Sequence, residues 1–117
     1  MRKVIYYRNS NGECPVDNFL RSLTAKQFEK VTWVLSIVRE LPVIPKQYFK
    51  KLVSTNDIWE VRIDSGNDTF RLLGFLEKGN FVVLTNGFAK KTEKTPPGEI
   101  RLAEQRKRDY ESRKRNG

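Results

Sequence analysis

Apolar and polar positions along the 117 residues follow two rhythms, and the changes between them divide the chain into elements. Lys3 to Arg8 (KVIYYR) is short, β-branched and aromatic, which predicts an opening strand. Asn9 to Gly12 then breaks it. Pro15 suits the first turn of a helix, and Val16, Phe19, Leu20 and Leu23 recur at helical spacing. A second helix starts at a clearer signal. Thr24 is followed three residues later by Gln27, a capping-box pattern, and Leu23 is placed to staple against Phe28. Phe28, Val31, Leu35 and Val38 continue it as an apolar stripe, widened by Val34 and Ile37, up to Leu41, where Pro42 and Pro45 end it. Such a stripe is built to lie on a core.

Lys46 to Val53 (KQYFKKLV) reads as a basic connector, and three strands follow it in quick succession. Ile58 to Ile63 alternates, with Trp59, Val61 and Ile63 on one face and Glu60 and Arg62 on the other. Gly66-Asn67 suits the centre of a hairpin turn, Thr69 to Leu76 forms the second strand, Lys78-Gly79 turns the chain, and Phe81 to Phe88 forms the third. Pro96-Pro97 blocks extension, and Glu99 to Arg115 is rich in helix formers. The expectation is one α+β domain over residues 1–117 in the order β-α-α-β-β-β-α. An antiparallel-rich sheet packs against the two N-terminal helices, with a basic C-terminal helix and tail over residues 97–117.

Charge changes the picture. Lys and Arg number 23 against 14 Asp and Glu, a formal net charge of +9, and there is no histidine. Ten of the basic and five of the acidic residues lie after Ala89, so more than half of the excess sits in the C-terminal stretch. That balance points to a polyanion. No apolar run reaches transmembrane length, and the single Cys14 cannot close an internal disulfide, so a reducing cytoplasmic setting is expected. Without histidine the chain lacks the usual ligands of a zinc site and the usual general base, so catalysis must run on Lys, Arg, Tyr or carboxylates. No metal or cofactor is expected.

Pairing outward from Gly66-Asn67 brings Arg62 opposite Arg71, where Cβ atoms lie only ~4.5–5.5 Å apart and like charges repel. Two readings stand. A bound anion compensates the pair, or Glu60, two residues from Arg62 on the same face, neutralises part of it through a diagonal salt bridge. A two-residue turn at Lys78-Gly79 would also bring Asn86 opposite Arg71 and deliver Lys90 and Lys91 to the rim. Arginine forks and mobile lysines together suit a phosphate cradle. In the connector, Lys46, Lys50 and Lys51 interleave with Tyr48 and Phe49, which either stack on bases or plug the core edge.

Ile58-Trp59-Glu60-Val61-Arg62, Phe70-Arg71-Leu72-Leu73 and above all Asn86-Gly87-Phe88-Ala89-Lys90-Lys91-Thr92-Glu93-Lys94-Thr95-Pro96-Pro97 resemble the HigB-like, phage-derived-protein branch of the RelE/ParE toxin superfamily. The resemblance covers nearly the whole chain. It implies a RelE-like fold and the toxin of a bacterial or phage-derived type II toxin–antitoxin system. Such a toxin is a ribosome-dependent mRNA endoribonuclease working by metal-independent 2′-hydroxyl attack on the adjacent phosphate. Arg71 matches the strand arginine at the scissile phosphate and Arg62 a basic position on the preceding strand. Lys91 or Lys94 then serves as proton donor or further clamp. Lys46, Lys50, Lys51, Lys90 and Asn86 are the expected RNA contacts, and Tyr110 falls late in the last helix. The implied partners are a HigA-like helix-turn-helix antitoxin, the ribosome and mRNA, with no membrane. A ParE-like inhibitor that binds DNA gyrase is the alternative from another functional class.

Overall fold

A computed structural model describes residues 1–78 and 80–116. The order is β1 (Lys3–Tyr6), α1 (Pro15–Arg21), α2 (Ala25–Glu40), β2 (Phe49–Lys51), β3 (Trp59–Ser65), β4 (Asp68–Glu77), β5 (Phe81–Ala89) and α3 (Pro97–Asn116). The strands form one five-stranded sheet in the order β1-β5-β4-β3-β2, antiparallel except where β1 runs parallel to β5. It is a mixed α+β arrangement with one strand more than the sequence rhythm predicts. That strand is β2, drawn from the expected basic connector. It is only three residues long, with Phe49 turned inward and Lys50 and Lys51 outward, too short for a period-2 pattern to declare itself. Short, lysine-bearing strands are typical of a sheet edge.

The helix signals lie where the chain uses them. Thr24 and Gln27 form a reciprocal capping box at the start of α2, the Thr24 hydroxyl accepting from the Gln27 amide at 3.1 Å and the Gln27 side chain from the Thr24 amide at 2.9 Å. At the other end Arg2 donates to the Val38, Leu41 and Pro42 carbonyls, satisfying acceptors that the helix leaves open. Val31, Val34, Leu35 and Val38 are buried and, with Val16 and Leu20 of α1, pack on Phe49, Val61, Ile63, Phe70, Leu72, Val82 and Leu84. Phe28, expected in the stripe, is nearly half exposed and lies outside this core.

The opposite face of the sheet is covered too. Ala103 packs with Ile58 and Leu73, and Tyr110 lies edge-on to Phe75, so α3 is a third structural layer. Many of its charges are held by specific partners. Lys107 is buried and donates to the Asn56 carbonyl, Arg106 donates to the Thr85 carbonyl, and Arg113 bridges Asp109 and the Arg8 carbonyl. Gly117, the last residue of the expected tail, lies outside the described residues.

The hairpin between β3 and β4 has the expected register. Gly66 has φ 64°, the left-handed value a tight hairpin turn asks of its first central residue, and Arg62 pairs with Arg71. The β4–β5 register departs from expectation. Glu77 pairs with Phe81, the ladder slips by one at Leu73/Gly74, and Asn86 stands opposite Leu73 while Phe88 stands opposite Arg71. The departure has two steps: three residues, 78–80, lie between the paired Glu77 and Phe81 where two were expected, and a bulge at Thr85 adds one more, its buried hydroxyl 3.1 Å from the Leu73 carbonyl and 2.6 Å from the Asn86 amide oxygen. Gly79, part of the expected turn, lies outside the described residues.

Candidate functional site

Alternation along β3 and β4 sends Glu60, Arg62 and Arg71 to the face that α3 covers only in part. α3 packs over Ile58 and Leu73, and the loop of residues 90–96 flanks the arginines. Arg71 is buried, Arg62 is about one-third exposed, and the Glu60 carboxylate lies between them, with Oε1 3.4 Å from Arg71 Nε and 3.5 Å from Arg62 Nε. A second carboxylate, the exposed Asp64, stands 3.8 Å from Arg71 Nη1, which donates to the Phe70 carbonyl at 2.9 Å. The salt-bridge reading of the arginine pair therefore has its carboxylate, and Glu60 serves both arginines.

The pairing is electrostatic more than hydrogen-bonded. Among the described residues, neither the Arg62 nor the Arg71 Nε–H finds an aligned acceptor, although both are buried close to Glu60. One carboxylate oxygen is shared between two cations, and it satisfies neither fully. Burial lowers the Arg71 pKa, Arg62 lowers it further, and Glu60 opposes the shift.

Beside this group opens a shallow cleft of about 350 Å³ lined by Thr69, Arg71, Lys90, Lys91, Thr92 and Glu93. Lys90 is partly buried there. Its pKa is pushed below the ordinary lysine value, first by desolvation and then by the neighbouring Arg71 and Arg62, with Glu60 acting the other way. Lys91 lines the same cleft. Lys94 is exposed and outside the cleft lining, and its carbonyl accepts from Thr92. Thr95 turns back toward the sheet and donates its hydroxyl to Glu60 Oε2 at 2.5 Å. The sequence named Glu60 as a neutraliser of Arg62, but nothing in its spacing pointed to Thr95 or to the contact with Arg71.

The other expected RNA contacts separate into groups. Lys50 pairs with Glu60 across β2 and β3, so it adds an exposed cation to the arginine-bearing face. Lys51 is held by Asp57 at 2.8 Å, and Lys46 is exposed in the turn before β2. Tyr48 and Phe49 plug the core: Tyr48 packs edge-on against Trp33, and Phe49 stacks on Trp59 with centroids 4.8 Å apart. Asn86 is buried, and its amide donates to the backbone carbonyl and the carboxylate of Glu99, fastening β5 to the first turn of α3. Tyr110 donates to Glu77 toward the other end of β4, apart from the arginine group.

The cationic loop and the strands β2 to β5 fall within one matched region. The sequence model of the family described as Phage derived protein Gp49-like (DUF891) matches residues 18–108, taking in α2, β2 to β5 and the first half of α3. No curated protein matches the chain. None of its helices is long and apolar enough to cross a membrane, among the described residues.

Proposed function

The chain belongs to the Gp49-like family, toxins of toxin–antitoxin systems within the RelE/HigB superfamily, and from that premise we propose that it is a ribosome-dependent mRNA endoribonuclease. The observation that carries the reading is the convergence of Arg71 and Lys90 at one open cleft, with Arg62 beside them on the Glu60 carboxylate it shares with Arg71. In this reaction the 2′-hydroxyl oxygen attacks the adjacent phosphorus, its proton leaves to water, and the bond from phosphorus to the 5′-oxygen breaks. The products are a 2′,3′-cyclic phosphate and a free 5′-hydroxyl. Negative charge grows on the phosphoryl oxygens as the phosphorus becomes five-coordinate, and fixed cations stabilise that state more than the ground state.

Arg71 is the clamp on the scissile phosphate, held rigid by its burial and its bond to the Phe70 carbonyl. Arg62, more exposed, is the second phosphate ligand. Lys90 protonates the departing 5′-oxygen, a role supported by its position against Arg71 and its lowered pKa. Lys91 holds a flanking phosphate from the same cleft, Lys46 and Lys50 contact RNA phosphates outside it, and Lys94 contributes long-range attraction. Family membership implies an antitoxin partner, and we assign it the helix-turn-helix class.

Mapping RNA 5′ ends in cells induced for the chain, with and without an inhibitor that keeps ribosomes off the mRNA, tests this. New mRNA ends that depend on an occupied ribosome support the reading. Growth arrest with double-strand DNA breaks and intact mRNA would instead assign the chain to gyrase.

A further inference from the structure

Resting on the cleavage reading, we infer that Glu60 is a positioning residue that fixes both arginines and the lysine-bearing loop in one arrangement, at the expense of affinity for the RNA phosphate. Three separate parts of the chain meet on its carboxylate. Oε1 lies against Arg62 of β3 and Arg71 of β4, and Oε2 accepts from Thr95, at the end of the loop that carries Lys90, Lys91 and Lys94. Glu60 itself is 3% exposed, so it meets RNA only through these partners.

The geometry explains why a carboxylate stands at this point. Arg62 and Arg71 are directly opposite across the hairpin, and without a shared anion their charges would drive the side chains apart. An apolar residue would leave the buried Arg71 with only the exposed, solvent-screened Asp64 at 3.8 Å for compensation. Because both arginines approach Glu60 through Nε, their terminal nitrogens are not spent on it. Thr95 links the same carboxylate to the loop, so the distance from Lys90 to Arg71 is set at both loop ends, by Thr95 on Glu60 and by the Lys90 amide on Thr69. A negative charge this close to a phosphate site also opposes RNA binding. Glu60 thus exchanges binding strength for alignment, which is the exchange that favours turnover over tight ground-state binding.

The test pairs two measurements on the full chain. Fluorescence anisotropy with a 2′-O-methyl RNA oligonucleotide, which keeps the phosphates but lacks the nucleophile, reads affinity. Single-turnover cleavage of ribosome-bound mRNA reads the chemical step. Glu60→Gln should bind the oligonucleotide about threefold or more tighter, with a steeper salt dependence. Its cleavage rate at saturation should fall by about tenfold or more through misalignment. Thr95→Val should bind within about twofold of wild type and cleave about fivefold more slowly, and Thr95→Ser, which keeps the hydroxyl, should restore most of the rate. A folded Glu60→Gln that binds no tighter, or a Thr95→Val that cleaves at the wild-type rate, would overturn the inference. Should Glu60→Gln fail to fold, as judged by thermal melting, the Thr95 pair decides alone. A wild-type chain that cuts no ribosome-bound mRNA would overturn the cleavage reading itself, an outcome the oligonucleotide measurement separates from a wrong role for Glu60.

Discussion

The Lys90 amide donates to the Thr69 carbonyl at 2.8 Å, one residue past the end of β5. That bond extends the β4–β5 ladder, so the Lys90 backbone is placed as firmly as a strand residue, and its side chain shares the cleft with Arg71. Lys94 has no comparable anchor to the cleft. Lys90→Ala should therefore slow cleavage by about a hundredfold, the range of a lost proton donor, whereas Lys94→Ala should cost less than about threefold. Activity that needs protonated Lys90 is present at low pH and lost as pH rises through its pKa, which desolvation, Arg71 and Arg62 hold below the free value of about 10.4. Arg62→Met removes one of those causes, so the alkaline limb of the single-turnover pH profile should move upward.

Arg71 is the side chain whose loss should be most complete. Arg71→Ala leaves Glu60 compensated by Arg62 and hydrogen-bonded to Thr95, so the chain should stay folded by circular dichroism. Its cleavage rate should fall by about 10²–10³-fold, the scale of removing one charge-stabilising donor at a transition state, and induced cells should keep growing. Arg62→Ala, already partly solvated, should fall by less. Growth arrest undiminished in Arg71→Ala would remove the arginine from the reaction.

How much of this was legible in the sequence follows from the range of each signal. The Arg62–Arg71 pairing was legible because a Gly-Asn turn between two alternating runs fixes every pair in the hairpin by counting. The Asn86 pairing was not, because a turn one residue longer than the count assumed and a bulge at Thr85 each move it by one. Helix α2 was legible from its capping box and stripe, both local. The partition of the lysines was not: Lys90, Lys91 and Lys94 are near neighbours in sequence, and only the ladder bond and the Thr95 contact distinguish them in space. The fate of the C-terminal charge was hidden for the same reason, since Lys107 and Arg106 reach carbonyls of Asn56 and Thr85 that no periodicity brings near.

That bulge makes its own prediction. A Cβ at Gly74 would come 2.1 Å from the Val83 carbonyl oxygen in the middle of the sheet, a backbone neighbour unable to turn aside. Gly74→Ala should destabilise the chain by about 3 kcal/mol, at the upper end of overpacking costs. Urea denaturation should show this as a lowered midpoint with an unchanged slope.

The exposed cations outside the cleft should act through the salt dependence of binding. Among the described residues, Lys46 before β2 and Lys50 within it are exposed and without an ion-pair partner, while Lys51 is paired with Asp57. Removing either free lysine should lower the log–log salt slope for the 2′-O-methyl oligonucleotide by about 0.7, the value for one single-strand phosphate contact, and Lys51→Ala should change it less. Equal slopes for all three variants and wild type would place the RNA elsewhere on the surface.

At the far end of the sheet Tyr7 donates to Asp109 at 2.6 Å, and Arg113 grips the same carboxylate oxygen at 2.7 Å, fastening the last turns of α3 to the strand end. The Tyr7 hydrogen bond, helped by the Arg113 contacts, holds the Asp109 pKa below its ordinary value against the opposing effect of desolvation. A carboxylate with a depressed folded pKa contributes stability that is present above its unfolded pKa of about 3.9 and is lost as pH falls through the folded value. Asp109→Asn should therefore lower the urea midpoint at pH 7 and leave a smaller difference from wild type at pH 3, where the wild-type carboxyl is losing its own contribution. The effect should be modest, because the carboxylate is largely solvated. Wild type and variant differing equally at both pH values would assign the contact to packing instead of charge.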